Sequence, residues 1–215
     1  MMKTNYSRTK LGELDRVVKT YMRKGDRFIE LCCGWSTFGS VAKYYGYSGV
    51  GCDIWDVAIE HSTRQIAAMP GDGKVKIEHG DAMDTKYKDN EFDFLYCNPP
   101  FLDQEMYGGT ENDIADKNVG KFREKIEKML GECLRIIKPG ALAVITINDG
   151  RKAGNIVPLG SYMLSWGLEV GFVIHDIAIG EIRSLALKMR KDAYARRRTV
   201  KCHEYILTFR KPVTK

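Results

Sequence analysis

Short apolar segments alternate with amphipathic ones along most of this chain, and that alternation restricts the fold more than any single motif. Arg27–Cys32 (RFIELC), Ser48–Cys52 (SGVGC), Lys74–Glu78 (KVKIE), Phe92–Cys97 (FDFLYC) and Ala141–Ile147 read as buried strands. Between them, a glycine-bearing turn over Cys33–Gly39 leads into a helix through Tyr45, and Asp56–Met69 and Val119–Ile137 carry apolar residues at helical spacing. Leu11–Arg23 is a further helix, with Leu11, Leu14, Val17, Val18 and Met22 on one side and Gly25 ending it. Lys138-Pro139-Gly140 is expected to stop the long helix. Towards the end, Pro158–Trp166 reads as helix, Leu168–Ile179 as extended chain and His203–Arg210 as a last strand. Strand–helix–strand crossovers are right-handed and bury a parallel sheet between two helical layers. The expected fold is therefore α/β, with a mostly parallel sheet, helices on both faces and an antiparallel pairing of the last segments. The chain of 215 residues suits one domain. Within it, residues 1–25 form an N-terminal helix and 180–202 a basic insertion before the last strand.

Charge is uneven. Lys and Arg total 34 against 28 Asp and Glu, a net +6. Arg183, Lys188, Arg190, Lys191, Arg196, Arg197, Arg198 and Lys201 crowd into one stretch with Asp192 as its single acid. That stretch holds the whole positive excess. Such a patch suits a polyanion, because each neutralised phosphate releases counterions; a solvated basic loop is the alternative. No apolar run is long enough to span a bilayer, and the N-terminus has no apolar signal core. The six cysteines lack C-x-x-C spacing, which argues against zinc and for reduced thiols in a cytoplasmic protein.

In an open doubly wound sheet, ligands bind beyond the carboxyl ends of the strands. Four strands end there in marked residues. The first runs into Glu30-Leu31-Cys32-Cys33-Gly34-Trp35-Ser36-Thr37, a glycine turn that departs from G-x-G-x-x-G at Ser36. The second ends at Asp53, where a carboxylate can accept from both hydroxyls of a ribose or cap the next helix. The third ends near Asp81, a candidate acceptor for an adenine amino group or an ordinary turn carboxylate. The fourth ends in Asn98-Pro99-Pro100-Phe101. Two prolines make that loop rigid and remove two N–H donors. The Asn98 amide oxygen and the Pro99 carbonyl can then accept from one NH2 group, and Phe101 can stack on a planar ring. The alternative is a proline turn with a core phenylalanine.

Taken together, these segments resemble the class I, S-adenosylmethionine-dependent methyltransferases. N-P-P-F is similar to the [DNS]-P-P-[YFW] signature of the members that methylate an exocyclic or amide nitrogen. Glu30, Gly34 and Thr37 match the acidic-x-x-x-Gly-x-Gly-Thr cofactor motif, with Ser36 in place of the second glycine. The approach Leu134–Gly140 and the closing His203-Glu204-Tyr205 strand resemble small phage and prokaryotic DNA amino-methyltransferases. The resemblance covers roughly residues 25–211. It implies a Rossmann-like, seven-stranded sheet with an antiparallel last strand. It implies S-adenosylmethionine held by Glu30, Cys32, Gly34 and Thr37 at the methionyl end, by Asp53 and Ile54 at the ribose and adenine face, and by Asp81 and Ala82 at the adenine edge. Asn98, Pro99, Pro100 and Phe101 would be catalytic. Tyr107, Arg183, Lys188, Arg190, Lys191, Arg196, Arg197 and Arg198 would touch nucleic acid, DNA before RNA. No metal and no membrane partner is expected. Cys97 beside Asn98 invites a covalent cytosine-C5 route, but it reads as the buried end of a strand. Two rivals stand beside the DNA reading: an amino-methyltransferase of RNA or of a protein glutamine, and a non-catalytic nucleic-acid-binding protein that has lost its cofactor turn at Ser36.

Overall fold

The computed structural model describes residues 11–102, 113–181, 195–197 and 203–213. In chain order the elements are α1 (Leu11–Tyr21), β1 (Arg27–Leu31), α2 (Thr37–Tyr44), β2 (Ser48–Asp53), α3 (Asp56–Ala68), β3 (Val75–His79) and β4 (Phe92–Cys97). Then follow α4 (Val119–Ile136), β5 (Ile137–Ile147), the short strands β6 (Gly150–Lys152) and β7 (Asn155–Val157), α5 (Leu159–Val170), β8 (Val173–Glu181) and β9 (His203–Arg210).

Seven strands form one sheet in the order β3-β2-β1-β4-β5-β9-β8. The pairings β3·β2, β2·β1, β1·β4 and β4·β5 are parallel. β9 slots between β5 and β8 and runs antiparallel to both. The expected mostly parallel, Rossmann-like sheet with one reversed strand is what the chain adopts. The carboxyl ends of β1 to β5 therefore share one edge, and the start of β9 lies on that same edge, since Tyr205 pairs with Ile147.

The two faces are buried by different helices. One core packs Leu31, Leu95, Ile145, Leu207 and Phe209 under α4 and α5. The buried stripe of α4, Phe122, Ile126, Met129, Leu130, Cys133 and Ile136, follows the helical period. Asn118 caps that helix by accepting from the N–H groups of Gly120 and Lys121. The opposite core packs Phe28, Phe94, Tyr96 and Val144 against Leu14, Val17 and Val18 of α1 and Phe38 of α2. Phe38 stacks on Tyr96 with ring centroids 4.5 Å apart.

Three local expectations are corrected. The long helix stops at Ile136, just before Lys138-Pro139-Gly140 as expected, but the strand starts earlier than Ala141: β5 begins at Ile137, directly after α4. Ile137 pairs with Phe92, the register shifts, and pairing resumes at Leu142 with Phe94. Proline is tolerated in a strand at such an irregularity, and Gly140 supplies a positive φ of 82°. Second, Leu168–Val170 belongs to α5, which Gly171 ends in the left-handed region. Third, the β6–β7 hairpin was not expected. Its turn, Ala153-Gly154, has positive φ at both residues.

Candidate active site at the carboxyl edge of the sheet

The turn after β1 is held by a buried carboxylate. Glu30 leaves β1 beneath the turn, and its Oε2 accepts from Ser36 Oγ at 2.7 Å and from the Gly39 N–H at 3.0 Å. Burial pushes this carboxyl up to about 7, against the lowering effect of its bonds to Ser36 and Gly39. Ser36 explains itself here. It stands in the left-handed region, φ 48° and ψ 51°, where glycine would be unstrained. Its hydroxyl is what meets Glu30, and its carbonyl accepts from Ser40 N and Ser40 Oγ. A side chain at Gly39 would run into that same hydroxyl, so the glycine is required next door. Ser36→Ala keeps the backbone strain and loses a bond to a buried group; it is expected to cost about 1–2 kcal/mol. Ser36→Gly loses the same bond but relieves roughly 1 kcal/mol of left-handed strain. Thermal melting of the two variants should therefore rank glycine above alanine.

The turn is also tied to β2. Asp53 Oδ2 accepts from the Gly34 N–H at 2.7 Å and Oδ1 accepts from the Trp55 N–H at 3.0 Å. Cys33 N donates to the Cys52 carbonyl at 3.0 Å. Burial raises the Asp53 carboxyl, and the bonds from Gly34 and Trp55 work against that rise. Asp53 does not cap α3, whose N-cap is Trp55; it braces the turn. Gly34 has φ 48°, and a Cβ placed there would meet nothing within 4 Å. The turn thus presents bare backbone to open space beside a carboxylate, an arrangement that could cradle a ribose-bearing cofactor. Ile54 and Cys32 are half-buried next to it, and Thr37 is the first residue of α2.

Asp81 follows β3 by two residues. Its Oδ1 accepts from the Met83 N–H at 2.7 Å, an Asx-type turn that leaves lone pairs unused. Ala82 is buried beneath it. Asn98 is the first residue past β4, the strand adjacent to β1, so the Asn98-Pro99-Pro100 segment and the glycine turn after β1 leave neighbouring strands at one edge. Pro99 and Pro100 are buried.

Phe101 differs from its expected role. Its ring is 4% exposed and packs in the core under α4, with Leu102 and Ile114 as members of the same cluster. Gly150, after β5, lies against Leu102. The segment turns back into the protein because Phe101 and Leu102 gain more from apolar burial than from projecting into water. Phe101 is a core residue in this structure and offers no open face for stacking. Cys97 is fully buried, and burial drives its thiol well above the ordinary range. It is no source of thiolate for covalent chemistry. The described cysteines are all free.

Sequence reading missed the residues past β5. Asn148 is buried, and Asp149 accepts from the Gly160 N–H at 3.1 Å and lies 3.6 Å from His203 Nε2. The signal was the polar pair that closes the most apolar strand. Of the expected nucleic-acid contacts, Arg196 and Arg197 are exposed; Tyr107, Arg183, Lys188, Arg190, Lys191 and Arg198 lie outside the described residues. Among the described residues, no group of His, Cys, Asp and Glu could hold a metal ion, and no helix is long and apolar enough to cross a membrane.

Demethylmenaquinone methyltransferase of Staphylococcus aureus is 34% identical over 135 residues, 60% of this chain and 46% of that protein. The enzyme of the same name from Symbiobacterium thermophilum is 28% identical over 127 residues, 58% of this chain and 43% of that one. The chain thus spans less than half the length of these curated relatives. Among solved structures, an S-adenosylmethionine-dependent methyltransferase of Methanosarcina mazei superposes with a TM-score of 0.67 at 14% identity, covering 92% of this chain and 98% of that one. The [4+2]-cyclase SpnF superposes with a TM-score of 0.66 at 19% identity, covering 95% and 82%. At such identities the likeness is one of fold, and the cyclase shows that this fold does not by itself dictate a reaction. The sequence family called methyltransferase small domain matches residues 6–129, more than half the chain. With its glycine turn and sheet order in agreement, the chain belongs to the methyltransferase small domain family.

Proposed function

We propose that the enzyme methylates the exocyclic amino nitrogen of a nucleobase, adenine or cytosine, in DNA before RNA. The observation that carries this reading is Asn98-Pro99-Pro100 at the end of β4, one strand away from the cofactor turn. Gly34 and Thr37 would hold the methionyl end of the cofactor, with Glu30 fixing the turn from below. Asp53 would accept from the ribose, Ile54 would cover the adenine, and Asp81 would accept from its amino group. S-adenosylmethionine supplies a methyl group on a sulfonium, a strong electrophile that needs no enzyme nucleophile.

The chain's own task is then to hold the acceptor. Asn98 Oδ1 and the Pro99 carbonyl accept the two amino hydrogens. They fix the nitrogen and turn its lone pair towards the methyl group. With the cofactor bound, the Asn98 and Pro99 carbonyl dipoles would stabilise the positive charge that develops on the nitrogen as it takes the methyl group. The surplus proton leaves the nitrogen for solvent. A paired base reaches such a pocket only when flipped or unstacked. The basic stretch supports a nucleic-acid acceptor. Its flanking residues Glu181 and His203 pair with each other on the same sheet edge as the site.

A second reading has its own support. The curated relatives are named for demethylmenaquinone, and the match to them spans 58–60% of this chain. One assay separates the two. The protein is incubated with methyl-labelled S-adenosylmethionine and unmethylated genomic DNA, total RNA or a demethylated quinone extract, and the labelled product is identified by mass spectrometry. Label on an amino nitrogen of a nucleoside is expected. Label on the quinone alone would replace this proposal with the second reading.

A further inference from the structure

The end of β5 holds a buried polar group with no partner. Asn148 is 7% exposed, and its Oδ1 is fully buried with no hydrogen-bond partner among the described residues. An unsatisfied buried acceptor is costly, and native proteins keep few of them. This one sits at the ligand edge, one residue past the strand that neighbours β4.

Its relation to Asn98 follows from the register. Cys97 pairs with Ile145 in parallel, so Asn98 stands beside Thr146, and Asn148 lies two residues further along. Residues two apart share a face of a strand. Tyr96 and Thr146 are the preceding members of the two series. Their hydroxyl oxygens are 3.1 Å apart and buried on the α1–α2 side. Asn98 and Asn148 are the next positions of these two series, just past the strand ends, and both carboxamide oxygens are buried. Their Cα atoms are separated by about one strand spacing across and two residues along, roughly 8 Å. Two side chains leaning across that gap can each place an oxygen about 2.9 Å from one shared nitrogen.

We infer that Asn148 is a third acceptor for the amino group: its Oδ1 shares, in a three-centre bond, one of the two N–H hydrogens that Asn98 Oδ1 and the Pro99 carbonyl accept, and with them completes a cage of acceptors around the nitrogen. This rests on the amino-transfer reading and narrows it. The acceptor must carry a primary amino group on a planar ring, because a hydroxyl, a ring carbon or a ring nitrogen without hydrogens would leave the cage unfilled. Asp149 has a separate role: it holds the first turn of α5 through Gly160 and keeps the end of β5 in place.

The test compares Asn148→Leu with Asn148→Asp. Leucine copies the shape and removes the acceptor; aspartate copies the shape and keeps it. Each variant is assayed with labelled S-adenosylmethionine on unmethylated genomic DNA and on total RNA, with melting temperature and cofactor affinity measured in parallel. The expected result is a kcat about 10- to 100-fold lower for leucine, aspartate within about threefold of the unaltered enzyme, and cofactor affinity unchanged in both. Should the leucine variant not fold, Asn148→Ala is read in the same way. A purely structural role predicts the reverse order, since a buried carboxylate is harder to accommodate than leucine. Aspartate as slow as leucine, or leucine as fast as the unaltered enzyme, would overturn the inference alone. An unaltered enzyme that labels no amino nitrogen in either nucleic acid would overturn both the amino-transfer reading and this one.

Discussion

Asn98→Ala is expected to lower the rate of methyl transfer by at least about a hundredfold while cofactor affinity stays within about threefold. The separation follows from position. Asn98 leaves β4, whereas the cofactor turn is built from β1, β2 and their connections, braced by Glu30 and Asp53. On the amino-transfer proposal, removing the carboxamide deletes a dipole that acts most strongly as charge develops on the nitrogen, so the loss falls mainly on the transition state. Asn98→Asp keeps an acceptor at the same place and should retain more activity than alanine. Single-turnover rates with labelled cofactor, beside calorimetric cofactor binding, measure both halves. Cys97→Ala serves as the contrast. It empties a small buried volume and should leave the transfer rate within a few-fold, because a thiol held so far above the ordinary range takes no part. Equal losses for Asn98→Ala and Cys97→Ala would point away from direct amino attack.

How far the sequence alone reaches depends on the range of the interaction. The parallel strands were legible because each is a short apolar run followed by a marked turn, and the run and the turn are local. Their convergence on one edge follows from right-handed crossovers. The insertion of β9 between β5 and β8 was not legible in that detail, since it depends on pairings between Ile147 and Tyr205 and between Glu181 and His203 that no local pattern encodes. Pro139 marks the end of α4 correctly but hides the early start of β5, because here it sits in a strand irregularity that Gly140 makes possible. Phe101 was placed in the site by adjacency to the two prolines. Its true surroundings are set by a turn back towards Leu159 and α4, which only tertiary packing decides. Ser36 looked like a defect in a glycine motif. The structure shows its hydroxyl meeting a carboxylate six residues earlier, a compensation that spacing alone does not reveal.

That buried carboxylate carries the second large expectation, a pH-dependent stability that disappears in Glu30→Gln. Glu30 titrates near 4.5 in an unfolded chain and near 7 in the fold, chiefly because burial disfavours its charge. A raised carboxyl pKa means that the folded state holds the proton more tightly than the unfolded one. The contribution is fully present below about pH 4.5 and is lost as pH rises through 7. At 1.36 kcal/mol per pH unit, the interval corresponds to about 3 kcal/mol. Asp53 is raised for the same reason and acts in the same direction, while Glu78 and Glu132 are lowered and act in the opposite one. The raw stability curve is therefore a sum, and the difference between the unaltered protein and Glu30→Gln isolates the one group. Glutamine fits the same space and can accept from Ser36 and Gly39 through its amide oxygen, but does not titrate. Urea unfolding from pH 4.5 to 8 should show the unaltered protein losing about 3 kcal/mol relative to the glutamine variant. Parallel curves would mean that Glu30 is charged throughout and that its bonds to Ser36 and Gly39 outweigh its burial. The turn that carries Gly34 would then be held by an ion rather than by a neutral acid.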